Sequence, residues 1–251
     1  MRLRFVFLLA LCLSLLTGVA QAQDYAKPSW PDLLRTMVRF RALDLSDTPL
    51  LDEYAVVTEC DLYKAFYAND FKWNQVRKAV MESVKMNVAT FPMNYHYDLK
   101  MQLDRYDFAA RLFRFTNRST LRGINTFMLY SVRGTGCGNA NVVYLPRTFR
   151  AVLETPVSMD GLPLAAKDAQ ALLDQMDRDK DSDRIIYARF NLRVVFIDAW
   201  RKIVNKEGGT EAIPRYEQTK APMPDTVRFD VNLDSISFYE DPEMTRLIYQ
   251  N

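Results

Sequence analysis

The sequence is short of the residues from which most metal sites and nucleophilic active sites are built. Its 251 residues include three cysteines and one histidine, His96. Structural zinc sites use four cysteine or histidine ligands, so this supply argues against one. The G-x-S-x-G motif of serine hydrolases does not occur either. We therefore predict no catalytic set, no metal site and no cofactor.

No apolar stretch is long enough to cross a membrane. The stretch near the start, Phe5 to Leu16, covers 12 residues, whereas a transmembrane helix needs about 20. Arg2 and Arg4 precede it and Ala20-Gln21-Ala22 follows it, which is the order of a secretory signal peptide. We expect residues 1–22 to be removed by cleavage near Ala22. The mature chain is then periplasmic or secreted and has no transmembrane helix.

The sequence also lacks an excess of either charge. It contains 33 basic and 31 acidic residues, and two of the basic ones, Arg2 and Arg4, leave with the signal peptide. The mature chain is therefore formally neutral. A neutral chain exerts no long-range attraction on polyanions, so we do not expect nucleic acid as a partner.

Two cysteines, Cys60 and Cys137, remain after cleavage. An even number in an oxidising compartment favours pairing, and two cysteines allow a single intramolecular disulfide. This disulfide ties the first part of the chain to the later part. The alternative is that both cysteines are buried as free thiols.

The first part of the chain is helical by its apolar spacing. A first helix begins at Pro31, and a second runs from Pro49 to about Tyr67. The second is apolar on several sides, which predicts that it is largely buried. Asn69-Asp70 begins a third, amphipathic helix that ends at Phe91-Pro92.

From residue 94 the apolar residues alternate with polar ones, which is typical of strands. The pattern predicts a first strand over 94–104 and the longest strand of the chain over 186–197. A later strand begins at Val227, and its phase slips near Asp234-Ser235, which indicates a bulge. Shorter strands are predicted at 108–115, 127–132, 142–145 and 149–157, a helix at 165–176, a loop at 206–225 and a helical turn at 241–243.

Helices followed by strands predict an α+β fold, with N-terminal helices packed on a mainly antiparallel sheet and one inserted helix. We divide the chain into the signal peptide (1–22), a helical part (23–92) and a β-rich part (93–251). The last two form one compact domain in this interpretation.

Three motifs invite a chemical interpretation. His96 and Asp98 lie two residues apart on the polar side of the first strand, but no nucleophile motif accompanies them. The glycine-rich loop around Cys137 leads into a predicted strand and not into the helix that a phosphate-binding loop requires. Residues 177–183 carry alternating aspartates like a calcium loop, but Ser182 stands where that loop needs glycine and Ala188 where it needs glutamate.

Arginines recur on the polar phase of the predicted strands. If these strands are neighbours, their arginines form a cationic sheet face suited to phosphate or carboxylate groups. The alternative is that each arginine pairs with a nearby acid. The candidate ligand-binding residues are Arg147, Arg150, Arg189 and Arg193.

These observations favour a non-catalytic binding or assembly component of the bacterial envelope, whose partner is an envelope protein or an anionic envelope component. The alternative is an exported hydrolase that uses the carboxylates of Asp98, Asp104 and Asp107. A third hypothesis is a structural subunit of a larger assembly. It requires an unpartnered apolar stripe on the first helix, formed by Leu33, Leu34, Met37 and Val38.

Overall fold

The computed structural model describes residues 24–133, 137–138, 140–178, 183–198, 202–204, 210–212 and 226–251. The predicted signal peptide lies outside the described residues. The helices among them are α1 (Trp30–Arg39), α2 (Thr48–Thr58), α3 (Cys60–Phe66), α4 (Asp70–Asn87) and α5 (Ala166–Arg178), with a 3₁₀ turn at Val88–Thr90. The strands are β1 (Asn94–Asp107), β2 (Leu112–Phe115), β3 (Ile124–Ser131), β4 (Thr148–Val157), β5 (Gly161–Pro163), β6 (Ile185–Ile197), β7 (Lys202–Val204), β8 (Thr210–Ala212), β9 (Thr226–Tyr239) and β10 (Leu247–Gln250).

Eight strands form one sheet in the order β3-β4-β9-β6-β1-β2-β5, with β10 also paired to β9. Its neighbours are antiparallel except β4 and β9, which run parallel. β7 and β8 form a separate antiparallel pair. The predicted α+β fold, with a mainly antiparallel sheet after the N-terminal helices and one inserted helix, is confirmed.

The central strands of the sheet owe their position to their alternating sequence. Alternate side chains of β6, from Ile186 to Val194, are fully buried, and those between them are half-buried on the opposite face. The sheet also curls, because Tyr97 on β1 and Phe127 on β3 touch at 5.1 Å between ring centroids although three strands separate β1 from β3 in the sheet order. Large aromatic side chains from several strands therefore meet in one core.

Helix α1 packs its apolar stripe into this core. Ser29 caps the helix by accepting a hydrogen bond from the backbone N–H of Asp32, and Leu33, Leu34 and Met37 are 0% exposed. The Trp30 indole donates to the Pro146 carbonyl at 3.0 Å. The stripe has its partners within the chain, so the structural-subunit hypothesis in its predicted form is wrong. No helix in the described part of the chain is long and apolar enough to span a bilayer.

The predicted second helix is two helices. The backbone leaves the helical region at Glu59 (φ −132°, ψ 50°), so α2 ends at Thr58 and α3 begins at Cys60. Helix α2 is largely buried as predicted, but α3 contains no buried residue. Leu62 of α3 is 38% exposed, although the whole predicted helix is expected to be largely buried. The apolar spacing continues across the break, so it does not reveal it.

Residues 142–145 do not form the predicted strand. The backbone N–H groups of Val143, Tyr144 and Leu145 all donate to the side-chain carboxylate of Glu53, with the last two at 2.7 and 2.8 Å. Glu53 lies on α2 and is only 7% exposed. The segment therefore satisfies its backbone donors with a buried carboxylate and not with a neighbouring strand.

Three other local predictions are corrected. Residues 108–111 form a turn before β2, because the Asp107 carboxylate accepts hydrogen bonds from the backbone N–H groups of Ala109 and Ala110. The predicted loop at 206–225 contains β8, and its other residues lie outside the described ones. The longest strands are β1 and β9, with 14 residues each, whereas β6 has 13.

The sequence predicts a helical turn at 241–243, but the structure has a non-helical turn there, followed by β10. The Asp241 carboxylate accepts hydrogen bonds from the backbone N–H groups of Thr245 and Arg246. These bonds lower the pKa of Asp241 to about 2 despite the opposing effect of desolvation. The carboxylate closes the turn that returns the chain to the sheet as β10.

The predicted disulfide is present. Cys60 at the start of α3 is bonded to Cys137, with 5.6 Å between the Cα atoms. Cys137 is buried, and along the chain it comes after β3 and before the segment 143–145 that binds Glu53. The bond therefore joins the helical part to the β-rich part, as the sequence analysis expects.

Candidate functional site

Two of the predicted arginines lie on the solvent face of the sheet, four residues apart on one strand. Arg189 and Arg193 belong to β6, where the residues between them in the alternation, Phe190 and Leu192, point into the core. Residues directly opposite each other on neighbouring strands share a face. Arg189 is opposite Asp98 of β1, so this carboxylate lies on the same face.

The face extends across β9 to β4. Arg193 is opposite Asn232 of β9, two residues from Asp230 on the same face. Farther along, Arg228 of β9 is opposite Arg150 of β4. We call this surface the arginine face, and it contains Arg150, Arg189, Arg193, Arg228, Asp98, Asp230 and Asp234.

The fourth predicted arginine, Arg147, is not placed on this face by the alternation. It precedes β4 and lies three positions before Arg150, which is an odd spacing, so the two side chains do not share a face of the strand. The Arg147 carbonyl accepts a hydrogen bond from the backbone N–H of Val132. Arg114 of β2 is ion-paired with Asp107 on β1 and is not part of this face. Three of the four candidate residues therefore lie on one face.

Asp98 binds two partners on the arginine face. Arg189 donates to both of its carboxylate oxygens, at 2.8 and 3.0 Å, and His96 Nδ1 lies 3.0 Å from one of them. Partial desolvation opposes ionisation of Asp98, but the hydrogen bonds and charges of His96 and Arg189 outweigh it and hold the pKa of Asp98 well below its usual range. Asp98 is therefore an ionised anchor for Arg189.

Arg193 is held by a carboxylate that comes from the bulge in β9. The register of β9 against β6 shifts opposite Asn191 and Leu192, where the sequence phase slip predicts it. Arg193 Nη2 lies 3.0 Å from Asp234 Oδ1, and the Tyr25 hydroxyl donates to the other Asp234 oxygen at 2.8 Å. Partial burial and this carboxylate raise the pKa of Tyr25 to about 12, so Tyr25 donates throughout the physiological range.

A third pair of the same type, Arg228 and Asp230, lies next on β9, with 2.6 Å between Nε and Oδ1. Arg189, Arg193 and Arg228 are thus each oriented by an aspartate on the same face. The alternation predicts Arg189 and Arg193 on this face, whereas Arg228, Asp234 and Tyr25 are not among the candidate residues that the sequence pattern singles out. The phase slip at Asp234 was the one signal that pointed to this position.

The pairing of Asp98 predicts a pH-dependent effect on stability. The pKa of Asp98 is lower in the folded protein than in the unfolded chain, where it is about 4. Ionisation of Asp98 therefore stabilises the folded protein at pH values above about 4. We expect Asp98→Asn to lower the free energy of unfolding at pH 7 by about 1 kcal/mol, since the pair is partly exposed to solvent. The difference should shrink as the pH falls below about 4, where the wild-type carboxylate begins to protonate in the unfolded chain.

Urea denaturation of wild type and variant between pH 2 and pH 7 measures this effect. Asp104→Asn is the matched control, because Asp104 is exposed on the same strand. A destabilisation that is independent of pH, or equal in the two variants, contradicts the assignment.

Of the three carboxylates proposed for a hydrolase, Asp104 is exposed on β1 and the other two are ion-paired. Asp98 is ion-paired with Arg189, and Asp107 closes the β1–β2 turn and binds Arg114. The backbone hydrogen bond from Ala110 and the Arg114 ion pair lower the pKa of Asp107. A carboxyl general acid needs a raised pKa, and both of these are lowered.

Most of the calcium-like run lies outside the described residues, which include Asp177 and Asp183 but not 179–182. Within the part of the chain that the structure describes, no three histidine, cysteine or acidic residues are grouped so as to hold a metal ion. The glycine-rich loop is described only at Cys137 and Gly138, where the cysteine is in the disulfide.

Residues 47–175 match the family model described as domain of unknown function DUF4852. No curated protein and no solved structure matches the chain. The matched range extends from the start of α2 to the last turns of α5, so it covers Glu53, the disulfide and β1 to β5.

Proposed function

This chain belongs to the DUF4852 family, and we propose that it is a non-catalytic binding protein of the bacterial envelope whose arginine face holds a protein partner. The observation that carries the proposal is the row of three arginine–aspartate pairs on neighbouring strands. Arginine is enriched at protein interfaces because its planar guanidinium group binds carboxylates and stacks on aromatic rings. Here the guanidinium groups are held in place before a partner arrives.

The charge of the face favours a protein over a simple anion. Each of Arg189, Arg193 and Arg228 is accompanied by an aspartate, which repels an incoming phosphate or carboxylate. A protein surface with charges of both signs meets such a face without leaving unpaired groups. The runner-up partner, an anionic envelope component, fits less well for this reason.

Apolar side chains add contact area beside the arginines. Phe196 is opposite Asp230 and is 52% exposed, and Met128 is opposite Arg150 and is 41% exposed. Exposed aromatic residues and methionine among arginines are the composition of an interface core. The face therefore offers both apolar area and oriented donors.

The envelope location is supported by two features. The first 22 residues have the pattern of a signal peptide, and the chain pairs its two remaining cysteines, as is usual in oxidising compartments. A hydrolase is the weaker candidate, because the pKa values of Asp98 and Asp107 are lowered.

A photo-crosslinking experiment tests the proposal. A photoreactive phenylalanine analogue is placed at Phe196 in the full chain expressed in its own cells, and the periplasmic fraction is irradiated. We expect a covalent adduct with a protein, whose yield falls at least fivefold when Arg189→Ala and Arg193→Ala are added. The arginines hold the partner against the face, so their loss shortens the time for which it stays in contact.

Phe108 is the control position for the photoreactive analogue, because it is 79% exposed in the turn after β1 and does not belong to the arginine face. The pair Arg114→Ala and Arg122→Ala is the control for loss of ion-paired surface arginines elsewhere. Equal adducts at both probe positions, or an unchanged yield without Arg189 and Arg193, overturn the proposed face. An adduct with lipid or glycan indicates that the partner is an anionic envelope component and not a protein. Absence of the protein from the periplasm overturns the proposed location.

A further inference from the structure

Strand β3 forms one edge of the large sheet. It is the first strand in the sheet order, and among the described strands it pairs only with β4. In a β-ladder, alternate backbone N–H and C=O groups point away from the paired neighbour. The outer side of β3 therefore presents hydrogen-bonding groups to which no described strand binds.

The sequence of β3 does little to protect this edge. Its eight residues, Ile124 to Ser131, include no charged residue and no proline, although natural sheets use both to block edge-to-edge pairing. The protective features present are two register shifts against β4, one between Ile124 and Thr126 and one between Met128 and Tyr130. Met128 and Tyr130 are 41% and 37% exposed, so the edge also carries large apolar side chains.

We propose that β3 is a homodimer interface, in which it pairs antiparallel with β3 of a second copy of this chain. A two-fold axis at Met128 places this residue opposite its own equivalent and Thr126 opposite Tyr130 of the partner subunit. Symmetric pairing of this kind is the commonest arrangement of soluble homo-oligomers.

Charge explains why a second copy fits this edge. The strand has no charge, so pairing it with itself brings no like charges together. The charges near its start, Arg122 and Asp160, form an ion pair with 2.7 Å between Nε and Oδ1. In the antiparallel arrangement Arg133, just beyond β3, approaches this balanced pair in the partner subunit.

The dimer has a consequence for the arginine face, although the inference does not rest on the proposed function. Met128 is opposite Arg150 on β4, so the arginine face reaches the strand next to the edge. Pairing two β3 strands joins two such faces into one continuous surface with two-fold symmetry.

Cysteine cross-linking tests the register. Directly opposite residues in an antiparallel pair have Cα atoms about 4.5–5.5 Å apart, which is within disulfide range. We expect Met128→Cys in the full-length processed protein to form a covalent dimer on mild oxidation. Asn125→Cys is the matched control, because it is exposed on the same strand but lies about 20 Å from its equivalent in this register.

Sedimentation velocity of the same protein at about 100 μM tests the interface itself. We expect the wild type to be a dimer and Met128→Lys to be at least 80% monomer, because two lysines then meet at the axis. Phe196→Lys introduces the same charge at a somewhat more exposed position on an inner strand (52% against 41% for Met128), and it should remain a dimer. A monomeric wild type, equal behaviour of the two lysine variants, or equal cross-linking at residues 125 and 128 overturns the proposal.

Discussion

Replacing Glu53 with alanine is expected to lower the free energy of unfolding by about 3 kcal/mol. The Glu53 carboxylate accepts three backbone hydrogen bonds, from Val143, Tyr144 and Leu145, in a largely buried position. Hydrogen bonds to charged groups contribute about 1.5–3 kcal/mol each, and buried donors left without an acceptor cost a similar amount. The loss is less than the sum because the freed segment moves toward water.

Urea denaturation of Glu53→Ala measures the total effect, and hydrogen exchange measures its location. The amides of residues 143–145 should lose most of their protection, whereas those of β6 should change only with global stability. Glu82→Ala, on the exposed side of α4, is the matched control and should change stability by less than about 0.5 kcal/mol. A similarly small effect of Glu53→Ala contradicts the role we assign to this carboxylate.

The second large effect is expected from the disulfide. Cys60 and Cys137 are 77 residues apart. In the chain-entropy model, closing a loop of this length raises the free energy of the unfolded chain by about 4 kcal/mol and stabilises the folded protein by the same amount. We expect Cys60→Ala, Cys137→Ala and the double variant to lose nearly the same stability. Each removes the same bond, so the two single effects do not add.

Thermal and urea denaturation of the three variants measure this pattern, and reduction of the wild type should reproduce it. The reduced wild type keeps both side chains and so separates loss of the bond from loss of packing at the buried Cys137. Two single effects that sum to the double effect contradict a bonded pair, as does a wild type whose stability is unchanged by reduction.

The elements that the sequence predicts well are those whose pattern is local. The alternation in β1, β6 and β9 predicts that these segments are strands, which of their side chains face the core, and even the bulge at Asp234. This works because the polarity of each side chain matches its own burial. The same pattern places Arg189 and Arg193 on the polar face without any knowledge of the neighbouring strands. Local spacing therefore suffices for three of the longest elements and for part of the site.

The elements that the sequence does not predict depend on distant residues. Residues 142–145 look like a strand, but their backbone donors are taken by Glu53, about 90 residues earlier. Similarly, Arg189 is paired with Asp98, which is 91 residues away. Only the tertiary arrangement of the helices and strands brings such partners together, and no local pattern contains that arrangement.

The position of β9 in the sheet has a consequence for how this chain is made. β9 lies between β4 and β6, yet it is the last long strand, beginning at Thr226 of 251 residues. Until β9 is in place, β4 and β6 have no common neighbour and the sheet is split into two open halves. Closure of the sheet therefore waits for residues 226–239, and a chain that terminates before residue 226 exposes two unpaired edges to aggregation.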